Sequence, residues 1–462
     1  MTTATIQFLG AAGTVTGSKY LVTVDKTKIL IDAGMFQGER EWREKNWEKP
    51  VVDMSTIDAA LITHAHIDHT GVLPRLVKFG LKCPVYTTDA TIDLSAMLLE
   101  DSARLQKEEA EWRSAKPGRS RHPNPEPLYS EEDAQAAIKL FKSVSVHKRI
   151  EIAPNIFATW NNQGHILGAG SIVLDIKGKR INFSGDIGRY NVPILKDPEG
   201  VELGDLLLIE STYGDREHSE VSPKQSLAET INDAVHRGGC VVIPSFAIGR
   251  TQDLLFYLRE LRKEGKISDI PVYIDSPMAK DATGIYARNG AWFDDESKKL
   301  FSAGQSPFMF SNLHFVKSRE DSKKLNSIHQ PMVIISASGM LTGGRILHHL
   351  KNRITDSRNI ILFVGFQPHG GTGDWIKQGH STVRIMGEEV PVNAEIREVS
   401  GLSAHAGKSE LVRWAKSCTG APGQVAVVHG EAESAKSFSE TLKSDLKWGK
   451  VNVPRYLDTW EI

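Results

Sequence analysis

The chain has 462 residues, 40% hydrophobic and 24% charged, with a formal net charge of −1. That length and composition predict a globular protein with more than one core and exclude a disordered or collagen-like chain. The near-zero charge excludes the basic excess of many nucleic-acid-binding domains, so a bound polyanion would have to meet a local positive patch or metal ions. No apolar run approaches the length of a membrane span. The first residues, from Met1 to Gly10, show no basic region followed by an apolar stretch, so no signal peptide is expected. Cys83, Cys240 and Cys418 are far apart and fit a reducing, cytoplasmic setting rather than a disulfide framework.

The N-terminal half reads as strand-rich. Short apolar or β-branched runs at Thr5–Phe8, Lys19–Val24 and Lys28–Ile31 are punctuated by glycines. Ile57–Ile62 is a further strand, and it leads directly into Thr63-His-Ala-His-Ile-Asp-His69. Gly71–Phe79 then predicts a helix with Pro74 in its first turn. Asp89–Arg113 predicts a long helix capped by its aspartate. The run from Lys116 to His122 is a small basic patch that also reads as a solvated loop. Strands follow at Ile156–Trp160, Ser171–Ile176 and Arg180–Phe183.

After Asp205 the pattern alternates. Strand-like runs at Leu206–Ile209, Val241–Ile243, Val272–Ile274, Met332–Ile335 and Ile360–Val364 are interleaved with helical stretches at Lys224–His236, Gln252–Lys263 and Arg345–Leu350. Such alternation predicts a parallel sheet flanked by helices. From about Val383 the chain returns to strand, helix (Lys408–Lys416), strand (Val425–Val428) and helix (Ala432–Leu446).

The heptad at 63–69 carries the chemistry. His64, His66, Asp68 and His69 lie within six positions on a strand-to-helix loop. Imidazole and carboxylate suit zinc, and loops on a rigid scaffold commonly carry function. One heptad cannot close two metal sites, so further ligands belong at other strand ends. His165 lies in Gly164-His-Ile-Leu-Gly-Ala-Gly170 and Asp186 in Phe183-Ser-Gly-Asp-Ile-Gly188. Glycines on both sides let backbone approach a buried ion, although each residue also fits an ordinary turn. Asp32, in Ile31-Asp-Ala-Gly34, ends another strand in the same way.

Taken in order, Asp32, the heptad, His165 and Asp186 resemble the first four motifs of the metallo-β-lactamase fold. The likeness extends further. Ile209-Glu-Ser-Thr-Tyr-Gly-Asp-Arg216 resembles motif A of the β-CASP nucleases, with Glu210 as its acid. Leu402-Ser-Ala-His-Ala406 resembles motif B, with His405, and Val427-Val-His-Gly-Glu431 resembles motif C, with His429. Ser336-Ala-Ser-Gly-Met-Leu-Thr-Gly-Gly-Arg345 and Gly365-Phe-Gln-Pro-His-Gly-Gly-Thr372 also look like β-CASP signatures. One departure stands out: Gly407 follows motif B where the family usually has aspartate.

The resemblance implies an α/β architecture: a metallo-β-lactamase αββα sandwich over residues 1–205 and 381–462, with a β-CASP domain inserted at 206–380. It implies two zinc ions. The first would take His64, His66 and His165, and the second Asp68, His69 and His429, with Asp186 bridging them. Asp32 would orient the histidine loop from behind. Glu210 and His405 would form a carboxylate–imidazole pair acting on the leaving oxygen. Ser336, Ser338, Gly343, Gly344 and Arg345 are candidates for phosphate contact, because N–H groups and a guanidinium suit phosphate oxygens, though the glycines also fit a tight turn. Histidine at motif C is the form carried by RNA-processing members. The implied function is a zinc-dependent ribonuclease cutting single-stranded RNA, as an endonuclease or a 5′-exonuclease, in a homodimer. The alternatives are a DNA-processing nuclease and a non-catalytic subunit of an RNA-processing assembly.

Overall fold

Period-two burial organises the larger of two units in a computed structural model that describes residues 4–114, 125–219 and 221–462. The basic run from Lys116 to His122 lies outside the described residues. The first unit comprises Met1–Asn191, Lys196–Glu217 and His405–Ile462, and the second Val192–Leu195 and His218–Ala404.

The first unit holds two seven-stranded sheets. In Thr27–Ile31, Ile29 and Ile31 point into the core between the sheets, while Leu30 points to the outer core. In Leu206–Glu210, Leu206 and Leu208 face the core between the sheets, and Leu207 and Ile209 face away from it. A strand buried on both faces needs cover on both. Leu73, Leu76, Leu99 and Ala137 supply helical cover on one outer face, and Leu411, Trp414, Phe438 and Leu442 supply it on the other. The result is helix, sheet, sheet, helix, the αββα sandwich that the resemblance implied.

Trp160 ties this architecture to the histidine loop. It is fully buried between the sheets, and its indole N–H donates to the carbonyl of Ile62 at 3.0 Å. Gly170 N donates to the Thr63 carbonyl, also at 3.0 Å. The two residues before His64 are therefore pinned by the strands Ile156–Asn162 and Gly170–Ile176.

The second unit is built on a six-stranded sheet in which every pairing is parallel. Its central strands, Val241–Pro244, Val333–Ser336 and Ile360–Phe363, are buried along their whole length. A two-stranded antiparallel hairpin, Thr382–Ile385 with Glu388–Pro391, also belongs to this unit.

Three details differ from the sequence expectations. The expected domain boundaries at 205/206 and 380/381 lie at 217/218 and 404/405. Leu206–Glu210 pairs in parallel with Lys179–Phe183 and Gln424–Val428, inside the first unit, while Glu395–Glu398 extends the second unit's sheet beside Ile360–Phe363. The expected helix over 71–79 is a short helical turn, Ile67–Thr70, followed by Leu73–Lys78 with its proline in the first turn. The helix Asp89–Ser114 is capped by Thr88, whose hydroxyl accepts from Thr91 N at 3.4 Å, and Asp89 is its first residue.

Candidate metal centre

Strand Ala59–Leu61 delivers His64 into a fully buried position, and the turn Ile67–Thr70 swings Asp68 and His69 to the same side. Gly34 makes this approach possible. A Cβ on it would sit 1.7 Å from the carbonyl oxygen of Asp68, which accepts from Ser18 N at 2.8 Å. Only a residue without a side chain fits there.

Asp32 lies behind the loop, 1% exposed. It accepts from Thr63 N at 2.8 Å and from the Ser18 hydroxyl at 3.1 Å, and it lies 2.7 Å from His69 Nδ1. That last contact fixes the imidazole so that Nε2 faces the site, the usual way an outer carboxylate orients a ligating histidine.

Two sets of donor atoms converge. His64 Nε2 and His165 Nε2 lie 3.1 and 3.2 Å from His66 Nδ1. His69 Nε2 lies 3.0 Å from His429 Nε2, which is 3.6 Å from Asp68 Oδ2. Asp186 stands between the sets. Its Oδ2 is 3.4 Å from both His64 Nε2 and His165 Nε2, and its Oδ1 is 3.2 Å from His69 Nε2 and 3.6 Å from His429 Nε2. Asp186 is 2% exposed, and among the described residues neither of its oxygens has a hydrogen-bond partner.

The electrostatics follow from this crowding. Burial and the neighbouring imidazoles hold His64 and His165 below the ordinary histidine value, and burial takes His66 down to about 3. Burial also opposes charge on His69, but Asp186 and Asp32 outweigh it and raise that imidazole well above its usual value. Burial pushes the Asp186 carboxyl up, yet His429, His69 and His64 together hold it well below the carboxylate range. Ionised Asp186 and neutral His64, His66 and His165 are the protonation states that metal coordination requires, and His69, held charged by its two carboxylates, would release a proton to a bound cation.

Beside the donor sets, His405 Nδ1 lies 3.3 Å from each oxygen of Glu210, and its Nε2 is 3.9 Å from Asp186 Oδ2. Glu210 is buried and accepts from Ile187 N at 2.6 Å and from Thr212 N at 3.2 Å. The Thr212 hydroxyl also contacts His429 Nδ1 at 3.1 Å. All the proposed ligands, with Asp32, Glu210 and His405, thus gather in the first unit.

The five residues read as phosphate contacts lie in the second unit. Ser336 is 1% exposed, and its hydroxyl donates to the carbonyl of Asp275 at 2.8 Å, so it is committed to the fold rather than open to a phosphate. Arg345 directs its guanidinium to Asp275 Oδ1 at 2.6 Å and to the Lys317 carbonyl at 3.2 Å. Ser338 accepts from Thr342 N at 3.0 Å. Gly343 borders open space, and Gly344 has a φ of +83° with the Ala337 carbonyl 2.5 Å from where a Cβ would be. Ser18, Thr63 and Thr212 escaped sequence reasoning. Their only signal is adjacency to a glycine, a histidine or a motif acid.

Comparison with known proteins covers nearly the whole chain. Residues 27–237 match the beta-lactamase superfamily domain, residues 251–376 the Beta-Casp domain, and residues 389–454 the Zn-dependent metallo-hydrolase RNA specificity domain. The chain is 36% identical over 448 residues to Ribonuclease TTHA0252 of Thermus thermophilus, with 97% of each chain covered. It is 30% identical over 468 residues to Transcription termination factor FttA of Methanocaldococcus jannaschii, covering 98% of this chain and 71% of that protein. Among solved structures, a protein of unknown function from Enterococcus faecalis V583 aligns over the full length of both chains at 11% identity with a TM-score of 0.55, a likeness of fold alone.

Proposed function

The chain belongs to the β-CASP family of metallo-β-lactamase-fold hydrolases, and we propose that it is a zinc-dependent ribonuclease hydrolysing phosphodiester bonds of single-stranded RNA. The observation that carries this reading is Asp186. A carboxylate with two unpartnered oxygens, each facing its own set of imidazoles, fits a pair of cations and little else. His64, His66 and His165 would hold one zinc ion, Asp68, His69 and His429 the other, and Asp186 both. Two ions held there would supply Lewis acidity toward phosphoryl oxygens and a water with a near-neutral pKa.

The protein's own groups then manage the leaving oxygen. Burial works against a proton on His405, but Glu210 and Asp186 raise its pKa to about 9, which favours the protonated imidazole that a leaving-group donor needs. As a water releases one proton to solvent and its oxygen bonds to phosphorus, the phosphorus–oxygen bond on the 3′ side breaks and the proton on His405 Nε2 passes to the departing 3′-oxygen. The products are a 5′-phosphate and a 3′-hydroxyl. Glu210, held by two backbone N–H groups, keeps His405 Nδ1 engaged so that Nε2 is the end turned toward Asp186. Within the second unit, Ser338, Gly343 and Gly344 remain the candidates for phosphate contact, with Ser336 and Arg345 supporting their turn through Asp275.

This reading includes a reducing cytoplasmic setting, supported by three unpaired cysteines. It also includes a homodimer, by likeness to similar proteins, which light scattering tests. The decisive experiment offers the zinc-loaded protein a circular single-stranded RNA, the same RNA with a 5′-phosphate, and a DNA of matched sequence. Cutting of the circle shows internal cleavage, and degradation of the linear RNA alone shows a 5′-exonuclease. Preference for DNA would sink the ribonuclease reading. RNA binding without cleavage at full zinc occupancy would support a non-catalytic subunit instead.

A further inference from the structure

Motif B is the segment where this chain departs from its family, and the structure shows what holds it. Gly407 lacks the side chain that usually follows Ala406, and glycine leaves a backbone freer than any other residue. The segment is nevertheless tied down from two sides. Ala406 N donates to the Ile187 carbonyl at 2.8 Å, and His405 forms an antiparallel bridge with Gly188. Glu410, in the first turn of the helix Lys408–Ser417, completes the attachment. Its Oε2 accepts from Gly407 N at 2.9 Å and its Oε1 from Tyr190 N at 3.0 Å, with Arg189 Nε 3.4 Å from Oε2. One carboxylate thereby joins the backbone two residues after His405 to the backbone four residues after Asp186.

The same loop also reaches Glu210, because Ile187 N donates to Glu210 Oε1 at 2.6 Å. Residues 187–190 therefore touch both members of the proton-transfer pair, Glu210 at Ile187 and the His405 segment at Ile187 and Gly188, and also Glu410 at Tyr190. The 3.3 Å separation of His405 Nδ1 from both Glu210 oxygens depends on these two backbones keeping register.

We propose that Glu410 is a positioning residue for His405, its carboxylate bridging Gly407 N and Tyr190 N to hold the imidazole against Glu210. The inference rests on the reading of His405 as the proton donor to the leaving oxygen. A helix-capping glutamate with no further role would stabilise the fold and would leave the register of His405 unaffected.

The test is a double-mutant cycle in the full-length, zinc-loaded protein. Wild type, Glu410→Ala, His405→Ala and the double variant are each assayed on a single-stranded RNA oligonucleotide and on a nucleotide p-nitrophenyl ester, with zinc content measured in every preparation. A p-nitrophenolate leaves without being protonated, so a misplaced proton donor harms only RNA cleavage. Glu410→Ala is expected to lower RNA turnover by about tenfold, less than the loss from His405→Ala, since a general acid is worth about a hundredfold or more. It is expected to change ester turnover less than about twofold and to cause no further loss in the His405→Ala background, because residues acting as one unit are not additive. Glu410→Gln, which keeps one acceptor oxygen, is expected to fall between the two. Unchanged RNA turnover in Glu410→Ala, an equal loss on both substrates, or an undiminished loss in the His405→Ala background would overturn the proposal. If His405→Ala slows both substrates equally, the proton-donor reading fails, and the RNA cycle alone decides the positioning role.

Discussion

Asp186 and Asp275 are almost equally buried, at 2% and 1% exposed, and their surroundings could hardly differ more. Asp275, in the second unit, is saturated. Its Oδ1 accepts from the Arg345 guanidinium at 2.6 Å, and its Oδ2 meets His349 Nε2 at 2.6 Å and the Ser322 hydroxyl at 2.5 Å. Asp186, in the first unit, has imidazole nitrogens near it and no hydrogen bond to either oxygen among the described residues. A buried charge costs several kcal/mol unless it is compensated. Asp275 is compensated from within the protein, whereas Asp186 is arranged for compensation from outside. Burial alone therefore does not mark a functional carboxylate. Unsatisfied burial does.

The sharpest way to break this contrast is to remove the unsatisfied group or its partners. Asp186→Asn, His66→Ala and Asp68→Ala are each expected to lower RNA cleavage about a thousandfold or more, because a missing ligand removes both the Lewis acid and the activated water. Chelation should do the same in wild type, and added zinc should restore it. Normal turnover in any of these variants at matched metal content would refute the ligand assignment.

The saturated group should behave in the opposite sense. Asp275→Ala leaves His349 and Arg345 without their partner and is expected to cost about 3–5 kcal/mol of stability in denaturant unfolding. Its zinc content should match wild type. A variant that unfolds normally but has lost metal would mean that the two carboxylates had been assigned the wrong roles. Asp32 lies between these extremes. Asp32→Asn keeps the side chain's shape but removes the charge that orients His69, and a tenfold to hundredfold weaker zinc affinity in a chelator competition is expected, on the order seen when such outer partners are lost.

The two carboxylates also differ in how far the sequence revealed them. Asp186 is flanked by glycines at a strand end, and it sits in chain order with the compact heptad and His165, so local spacing exposes it. Asp275 has no such signal. His349 lies 74 residues away and Ser322 lies 47, and only folding brings them together. Glu410 was hidden for a related reason, since an acid in the first turn of a helix is ordinary. The domain boundaries were misplaced because Leu206–Glu210 is buried along its whole length, and a buried parallel strand looks the same whichever sheet it joins. The helix Glu131–Ile138 and the strand Phe141–Val144 were not anticipated. The first carries alanines on its buried face, and the second has only Phe141 and Val144 buried, so neither has the apolar periodicity that sequence reasoning depends on.

The smallest expected effect separates the two carboxylates by pH. Burial pushes the Asp275 carboxyl up, but hydrogen bonds from His349, Ser322 and Arg345 outweigh it and hold the group below its ordinary value. A carboxyl lowered on folding contributes stability that is fully present above its unfolded value of about 3.9 and is lost as the pH falls through the folded value. The gap in Tm between wild type and Asp275→Asn should therefore be constant from about pH 7 to pH 5 and should shrink towards pH 3 and below. Measuring both proteins after chelation removes the pH dependence of metal binding from the comparison. A gap that widened on acidification would mean that Asp275 is not ionised in the folded chain, and its saturation by Arg345 and His349 would then need a different account.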